Sequence, residues 1–397
     1  MNNQQLTNII REKIANSPQK RITFAEYMNL VLYHPQYGYY SGGTVQIGSK
    51  GDFFTSSSLS ADFGELLAIQ FVQMWELLAQ PNPFMLVEMG AGQGLLATDI
   101  LQYLSLHHPD FLTQLEYIII EQAPSLITQQ QQLLQQWLEK GMKISWKTWA
   151  EIPPASLIGC CFSNELVDAF PIHQIILQQG QLQEIYVANS LDTPSSETKA
   201  NFLEISDLLS TPQITEYFQL IDIDLNPKNY PDGYRSEVNL AALDWIKTVA
   251  QKLQLGYLLT IDYGYPATKY YHPQRAQGTR QCYYQHRRHN NPFLNIGRQD
   301  ITAFVDFTAL ERQGELCGLE KIGFTQQGLF LMALGLGNRL SSLTNGKLNL
   351  PQILARRDAL HQLIDPTGLG GFGILIQSKN LPQKAKSLQG LSLPPML

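Results

Sequence analysis

Charged residues are scarce in this chain of 397 residues: they make up 16% of the sequence, whereas soluble domains usually contain about 25%. The formal net charge at pH 7 is −6, so the chain lacks the basic excess with which proteins neutralise nucleic-acid phosphates. This lack argues against broad nucleic-acid binding. A basic protein or peptide remains open as a substrate.

Cysteines and long apolar runs are also few. The four cysteines form no Cys-x-x-Cys pair and no zinc-ligand spacing, and the adjacent Cys160 and Cys161 are interpreted as small core residues. No stretch reaches the roughly 18 apolar residues of a membrane span, and the first residues contain no secretion-signal core. We therefore expect a cytoplasmic protein without a metal site and without membrane insertion.

A short apolar segment that runs into three glycines is the most informative motif. Residues 86–94 read Leu-Val-Glu-Met-Gly-Ala-Gly-Gln-Gly, so Gly90, Gly92 and Gly94 follow Glu88 at intervals of two. Glycines at a strand-to-helix turn let the backbone approach a ligand. The dinucleotide fingerprint places its third glycine three residues after the second. The spacing found here resembles motif I of class I methyltransferases, which implies S-adenosyl-L-methionine (SAM) as the cofactor.

A second acid follows the next apolar segment, Tyr117-Ile-Ile-Ile-Glu121. An acid at the end of this strand accepts hydrogen bonds from ribose hydroxyl groups. We therefore predict that Glu121 binds the ribose of the cofactor, while Glu88 and the glycines bind its methionine part. Because NAD offers the same ribose, a nicotinamide-dependent dehydrogenase remains an alternative.

The fourth predicted strand ends in Asn164-Glu165-Leu-Val-Asp168. In an open parallel sheet this edge borders the ligand crevice. Two carboxylates and an amide can hold a guanidinium in bidentate fashion, and they would localise its charge away from the reacting nitrogen. We predict that Glu165, Asp168 and Asn164 are the catalytic residues. The simpler interpretation is that Asp168 caps a helix and Glu165 faces solvent.

Alternating strand and helix patterns after residue 80 predict an α/β fold. Core strands are expected at residues 84–88, 116–121, 143–147, 158–164 and 256–262, a helix at about 237–253, and an antiparallel edge from residues 324–331 and 373–378. The predicted organisation is a helical region with a lid loop (1–80), the first part of the core (81–170), an inserted hairpin subdomain (171–235), the second part of the core (236–380) and a flexible tail (381–397).

Further motifs accompany the glycine loop. They are His34-Pro-Gln-Tyr-Gly-Tyr-Tyr, Gly51-Asp-Phe-Phe-Thr-Ser56, Phe63-Gly-Glu-Leu-Leu, Ser163-Asn-Glu-Leu-Val-Asp-Ala-Phe-Pro171, Glu237-Val-Asn, Ile261-Asp-Tyr-Gly264, Gln299-Asp-Ile-Thr302 and Val305-Asp-Phe307. In this order they resemble the MidA family of SAM-dependent methyltransferases, known in eukaryotes as a mitochondrial complex I assembly factor. The resemblance implies a class I Rossmann-like sheet of seven strands, an N-terminal helical extension and an insertion between the fourth and fifth core strands.

The resemblance also implies an activity: arginine methylation to symmetric dimethylarginine on a large hydrophilic subunit of complex I. A bacterial-type member would act on the homologous subunit of an NADH dehydrogenase-like complex. By family similarity Asp52 lies close to the cofactor, although an Asx turn would also explain it. A small-molecule methyltransferase and a non-catalytic SAM-binding assembly chaperone remain alternatives.

Two segments depart from the family pattern. After Thr55-Ser56 the family usually has Pro-Glu, whereas this chain has Ser57-Ser58. The segment His286-Arg-Arg-His289 is only loosely similar, and it contains no third residue that would complete a metal site. We expect a solvated basic loop there.

Overall fold

The computed structural model of the protein describes residues 3–42, 56–190, 201–343 and 349–393. In chain order its strands are β1 (Arg21–Thr23), β2 (Phe84–Met89), β3 (Leu115–Ile120), β4 (Lys143–Trp146), β5 (Leu157–Asn164), β6 (His173–Gln178), β7 (Gln181–Asn189), β8 (Phe202–Asp207), β9 (Arg235–Val238), β10 (Leu253–Asp262), β11 (Gly264–Tyr265), β12 (Gln281–Tyr284), β13 (Arg287–His289), β14 (Asp300–Thr302), β15 (Val305–Asp306), β16 (Glu320–Gln326) and β17 (Gly373–Lys379).

The helices of the described residues follow the same order. They are α1 (Gln4–Asn16), α2 (Phe24–Tyr33), α3 (Ser56–Leu59), α4 (Asp62–Leu77), α5 (Leu95–His107), α6 (Pro109–Gln114), α7 (Pro124–Leu133), α8 (Gln135–Glu139), α9 (Gln213–Ile221), α10 (Leu240–Lys252), α11 (Ala267–Tyr270), α12 (Phe307–Leu316), α13 (Gln327–Ala333), α14 (Leu336–Ser341) and α15 (Leu350–Ile364). None of these helices is long and apolar enough to cross a membrane.

The main sheet has seven strands in the order β16-β17-β10-β5-β2-β3-β4. The pairs from β10 to β4 are parallel, and β17 runs antiparallel to both of its neighbours. The expected α/β sheet of seven strands is therefore confirmed, although the antiparallel strand lies one position inside the edge. The strand order reverses between β2 and β5, which is where open parallel sheets form their ligand crevice.

Helices cover both faces of this sheet, which explains why its central strands β2, β3, β5 and β10 are mostly apolar and buried on both faces. Successive residues of a strand point to opposite faces: Leu86 packs into the core with α4 and α5, whereas Val87 packs into the core with α10 and α12. Full burial of one such side chain contributes about 1.5–3 kcal/mol. The two cores fix the strand ends that carry the site.

A second sheet joins the N-terminal region to the insertion. Strand β1 pairs antiparallel with β7, with Ile22 opposite Val187, and β7 in turn pairs with β6 and β8. Helix α2 begins with the expected capping box, in which Thr23 and Glu26 bond each other's backbone N–H groups. Helices α1 and α2 therefore pack on the inserted sheet, whereas α4 packs on the main sheet.

Three boundary predictions were wrong. The strand expected at 324–331 ends at Gln326, because Gln327, Phe330 and Leu331 are buried at helical spacing and belong to α13. The helix expected from 237 begins at Leu240, since the Asn239 side chain caps it by accepting from the Ala242 N–H (2.9 Å). The tail expected to be flexible is packed as far as Leu391, with Ala385 and Leu388 among its buried residues.

Candidate active site

The carboxyl ends of β2, β3, β5 and β10 surround a cavity of about 950 Å³. Both predicted groups of site residues line it: Glu88, Gly90, Gly92 and Glu121 for the cofactor, and Asn164, Glu165 and Asp168 for the acceptor. The structure thus brings together residues that are far apart in sequence. Asp52, the remaining prediction, lies outside the described residues.

The glycine loop has the backbone conformation that its sequence predicts. The φ angles of Gly90, Gly92 and Gly94 are 71°, 55° and 82°. Residues other than glycine rarely adopt this left-handed backbone region. A Cβ atom on Gly90 would lie 2.7 Å from the Leu166 side chain. Gly94 lies directly before α5 and does not line the cavity, so its contribution is the turn itself.

Glu88 is buried at the end of β2, where its Oε2 accepts a 2.6 Å hydrogen bond from the Tyr117 hydroxyl. Burial raises the pKa of Glu88 to about 7, and the Tyr117 hydrogen bond opposes this rise. An ammonium group placed against this carboxylate would favour its ionised form. Glu88 is therefore suited to a cationic ligand.

Glu121 is held by the backbone at the turn after β3. Its Oε1 accepts from the N–H groups of Gln122 (2.8 Å) and Ala123 (3.0 Å). Burial raises the pKa of Glu121, against the effect of these hydrogen bonds. Among the described residues, one weak hydrogen bond reaches its Oε2, from the Gln130 amide at 3.4 Å, so this oxygen is suited to accept from a ligand hydroxyl.

Gln130 connects the two cofactor motifs, and the sequence analysis missed it. This fully buried side chain donates to the Gly92 carbonyl (2.8 Å) and to Glu121, and it accepts from the Trp146 indole N–H (2.8 Å). One signal was present in the sequence: Gln130 follows the buried Leu126 by four residues on α7, so a polar side chain occupies the apolar face of that helix.

Replacing Gln130 by Met should weaken SAM binding about tenfold, because the Gly92 carbonyl and the Trp146 N–H would lose their partner, at a cost of about 1–3 kcal/mol per buried group. Calorimetric titration with SAM would measure this. Gln131→Met, at the exposed neighbouring position, is the matched control. Equal affinities of the two variants would show that Gln130 does not position the loop.

Glu165 adopts an unusual backbone conformation, with φ at 52°. Its N–H donates to the Ile261 carbonyl (2.9 Å), which ties the loop after β5 to β10. Its Oε1 accepts from the Ser56 N–H (3.1 Å) and from the Asn164 amide (3.2 Å). Burial, together with the nearby Asp168 carboxylate, raises the pKa of Glu165 to about 8.

Asp168 is buried beside the same cavity. The Tyr263 hydroxyl donates to its Oδ2, while its Oδ1 has no partner among the described residues, as is also true of the Asn164 Oδ1. Burial raises the pKa of Asp168 to about 6. The structure therefore differs from the simpler interpretation. Glu165 accepts hydrogen bonds from Ser56 and Asn164 at the cavity, and Asp168 accepts from Tyr263 there.

Asp262 and Tyr263 hold this arrangement from β10. The Asp262 Oδ2 accepts from the N–H groups of Val167 (2.9 Å) and Asp168 (3.3 Å), so a fully buried carboxylate anchors the loop. Burial and the Asp168 and Glu165 carboxylates raise the pKa of Asp262 well above its usual range. These two residues position Asp168.

Aromatic side chains complete the acidic half of the cavity. The Tyr40 hydroxyl donates to Asp300 (2.8 Å), and the rings of Tyr33 and Tyr40 stack with centroids 5.5 Å apart. Tyr39 is buried in the core beneath them. The tyrosine motif therefore both packs the N-terminal helices and lines the cavity. Carboxylates among aromatic faces are an environment for a cation.

The two departures from the family pattern have different positions. Ser57 lines the cavity. It stands where the family usually has a proline, and the next residue, Ser58, stands where the family usually has a glutamate. His286 lies in the turn between β12 and β13, and the following Arg288 is exposed at the rim of the cavity. Among the described residues no group of three His, Cys, Asp or Glu side chains is arranged to hold a metal ion.

Comparisons with known proteins agree with this geometry. The family described as "Putative S-adenosyl-L-methionine-dependent methyltransferase" matches residues 66–325. A relative in Drosophila melanogaster, the protein arginine methyltransferase NDUFAF7 homolog, is 31% identical over 88% of this chain and 79% of its own. Protein arginine methyltransferase NDUFAF7 of Rattus norvegicus is 29% identical over the same shares.

A crystal structure from Burkholderia thailandensis, bound to S-adenosyl-homocysteine, is similar over 98% of this chain and 95% of its own, with 29% identity and a TM-score of 0.83. The residues that line the cavity suit SAM, because carboxylates at Glu88 and Glu121 and the glycines Gly90 and Gly92 lie together there. The protein is an enzyme that uses SAM as its methyl donor, and it belongs to the MidA family of SAM-dependent methyltransferases.

Proposed function

We propose that the protein methylates arginine side chains of a protein substrate. The observation that carries this proposal is the set of carboxylate and amide side chains that line the cavity beside the predicted cofactor residues: Glu165, Asp168 and Asn164. Carboxylate and amide oxygens suit the planar fork of a guanidinium. A lysine ammonium has no such fork, and a neutral acceptor would leave the carboxylates without a counter-charge.

In this proposal the chain acts mainly by positioning. Bound SAM supplies a methyl group on a sulfonium sulfur, which is already activated for transfer. Glu165 and Asp168 accept hydrogen bonds from the guanidinium and draw its positive charge to the nitrogens that they contact. The remaining nitrogen keeps its lone pair for attack on the methyl carbon as the bond from that carbon to sulfur breaks, and the proton that this nitrogen loses would pass to the Glu165 or the Asp168 carboxylate. Alignment alone supplies about 7–11 kcal/mol of the barrier reduction.

The residue roles follow from this arrangement. Glu88 and the glycine loop would hold the methionine part of SAM, Glu121 would bind the ribose, and Tyr263 and Asp262 would fix the orientation of Asp168.

The relatives named as protein arginine methyltransferases support a protein substrate. We propose a subunit of an NADH dehydrogenase-like complex as that substrate and symmetric dimethylarginine as the product. The unpaired state of all four cysteines supports a reducing cytoplasm as the location.

The pH dependence of the reaction tests the role of Glu165. The pKa of Glu165 is raised to about 8, so the carboxylate that binds the guanidinium is protonated at lower pH. We expect kcat/KM for the protein substrate to rise with pH through about 8 and to level off above it, because this parameter reports ionisations of the free enzyme. Initial rates from pH 6 to pH 9 would measure the profile. A flat profile would remove Glu165 from guanidinium binding.

Incubation with labelled SAM and lysate from a strain that lacks the protein distinguishes the candidate functions. A labelled protein band, absent when lysate of the parent strain is used, is the expected result, because the parent's substrate is already methylated. Label in small molecules alone would favour a small-molecule methyltransferase. SAM binding without any labelled product would favour a non-catalytic assembly chaperone.

A further inference from the structure

The rim of the methyl-transfer cavity differs in charge from its interior. Among the described residues that line the cavity, six charged side chains are acids and two, Lys269 and Arg288, are basic and exposed. The one exposed acid of this set, Asp244, is paired with Lys247 at 3.0 Å. Within the described part of the chain no carboxylate lies within ion-pair distance of Lys269 or Arg288. An unbalanced basic rim therefore stands above an acidic interior.

One wall of the cavity is the small sheet of β13, β12 and β14. Tyr283 on β12 stands opposite Arg288 on β13 and opposite Asp300 on β14, and directly opposed residues share a face of a sheet. All three line the cavity, whereas Cys282 is buried in the core with α1 and α2. Neighbouring strands lie about 4.8 Å apart, so the backbones of Arg288 and Asp300 are about 10 Å apart. This wall therefore connects the basic rim to the acidic interior over a short distance.

An aromatic ring holds Lys269 at the same rim. The Lys269 Nζ lies 3.9 Å from the ring centroid of Tyr265, which also lines the cavity, and the Arg275 guanidinium carbon lies 4.4 Å from that centroid. Two cations thus share one ring, and no described carboxylate forms an ion pair with either of them. A cation that is already ordered against a ring loses less freedom when it pairs with an anion. Lys269 is therefore suited to bind an anionic side chain at the mouth of the cavity.

We propose that Arg288 and Lys269 select substrate arginines that have an acidic residue nearby in the chain. This inference rests on the proposed function, in which Glu165 and Asp168 bind the substrate guanidinium. An extended peptide advances about 3.3 Å per residue, so the wall spans about three residues of it. An aspartate or glutamate within about three residues of the arginine would reach the basic rim, and a lysine there would be repelled. A nucleic acid fits less well, because the acids of the cavity would repel its phosphates.

Two peptides that differ only in flanking charge test this selection: acetyl-Gly-Glu-Gly-Arg-Gly-Glu-Gly-amide and the same peptide with lysine in place of both glutamates. We expect about tenfold higher kcat/KM for the glutamate peptide at low salt, because each exposed ion pair changes the rate a few-fold. The preference should shrink as salt screens the charges. Equal kcat/KM values would overturn the inference and leave the proposed function intact, as would labelling of a lysate protein with neither peptide methylated. Absence of methylation in the peptides and the lysate alike would contradict the proposed function itself.

The adjacent arginine provides the matched control. Arg287 is exposed like Arg288, but it stands opposite Tyr284 and does not line the cavity. The ratio of kcat/KM for the two peptides is compared, since it cancels effects on SAM binding or on the amount of folded protein. Arg288→Gln should lower this ratio about threefold, and Arg287→Gln should keep it. Arg288→Glu combined with Lys269→Glu should reverse the preference in favour of the lysine peptide, and an unchanged ratio in this double variant would overturn the inference.

Discussion

Replacement of Glu165 by Gln should reduce methyl transfer about 10²–10³-fold, the usual effect of removing one group that stabilises charge in the transition state. The variant keeps the size of the side chain and its contacts with Ser56 and Asn164, but it cannot pair the guanidinium. SAM affinity should stay unchanged, because Glu165 belongs to the acceptor half of the site. Single-turnover rates and calorimetric titration with SAM measure the two effects separately.

Glu315→Gln is the matched control, since Glu315 is exposed on α12 and distant in sequence from the site. Near-parental turnover of Glu165→Gln would remove Glu165 from the mechanism. A parallel loss of SAM affinity would instead assign Glu165 to cofactor binding.

The same substitution has a second expected effect, on stability. The folded-state pKa of Glu165, about 8, lies above the ordinary value of 4.5. A raised pKa in an acid favours the folded state at low pH, and this contribution is lost as pH rises through about 8. Glu165→Gln has no such loss. Its melting temperature should therefore exceed that of the parent by a margin that grows from pH 5 to about pH 8 and is constant at higher pH.

Gly92→Val should weaken SAM binding about 100-fold or more. Gly92 has φ at 55° and lines the cavity. A β-branched side chain in this conformation costs about 1–3 kcal/mol in backbone strain, and it would also occupy space beside the cofactor residues. Equilibrium titration with SAM measures the loss.

Gly318→Val separates strain from obstruction. Gly318 has φ at 80°, and a Cβ atom there would meet no neighbour within 4 Å. This control should lose some stability but should keep its SAM affinity. Parental SAM affinity in Gly92→Val would contradict the position of the cofactor in this cavity.

The meeting of the predicted cofactor residues at one cavity could be predicted because their motif is local. Glu88 and the three glycines lie within seven residues, and the apolar strand before Glu121 places that acid at the same sheet edge. Parallel strands bring such ends together in any fold of this class. The same reasoning predicted that Glu165 and Asp168 lie at this edge of the sheet, because both residues come shortly after β5.

Contacts between distant segments could not be predicted. Strand β1 has three residues and lies about 160 positions before its partner β7, so no periodic pattern identifies the pair. Gln130 stands among four consecutive glutamines, and only its place on the buried side of α7 distinguishes it. The boundary at Gln326 was missed because a short apolar run fits strand and helix equally until burial decides.

The measurement that tests the central claim most directly is amino-acid analysis of the labelled product. The purified protein would be incubated with methyl-labelled SAM and lysate from the strain that lacks it, and the labelled protein would be hydrolysed to amino acids. The proposed function predicts label in dimethylarginine, abolished in Gly92→Val and strongly reduced in Glu165→Gln. Label in methyl-lysine or in another residue, at a rate independent of Glu165, would contradict it.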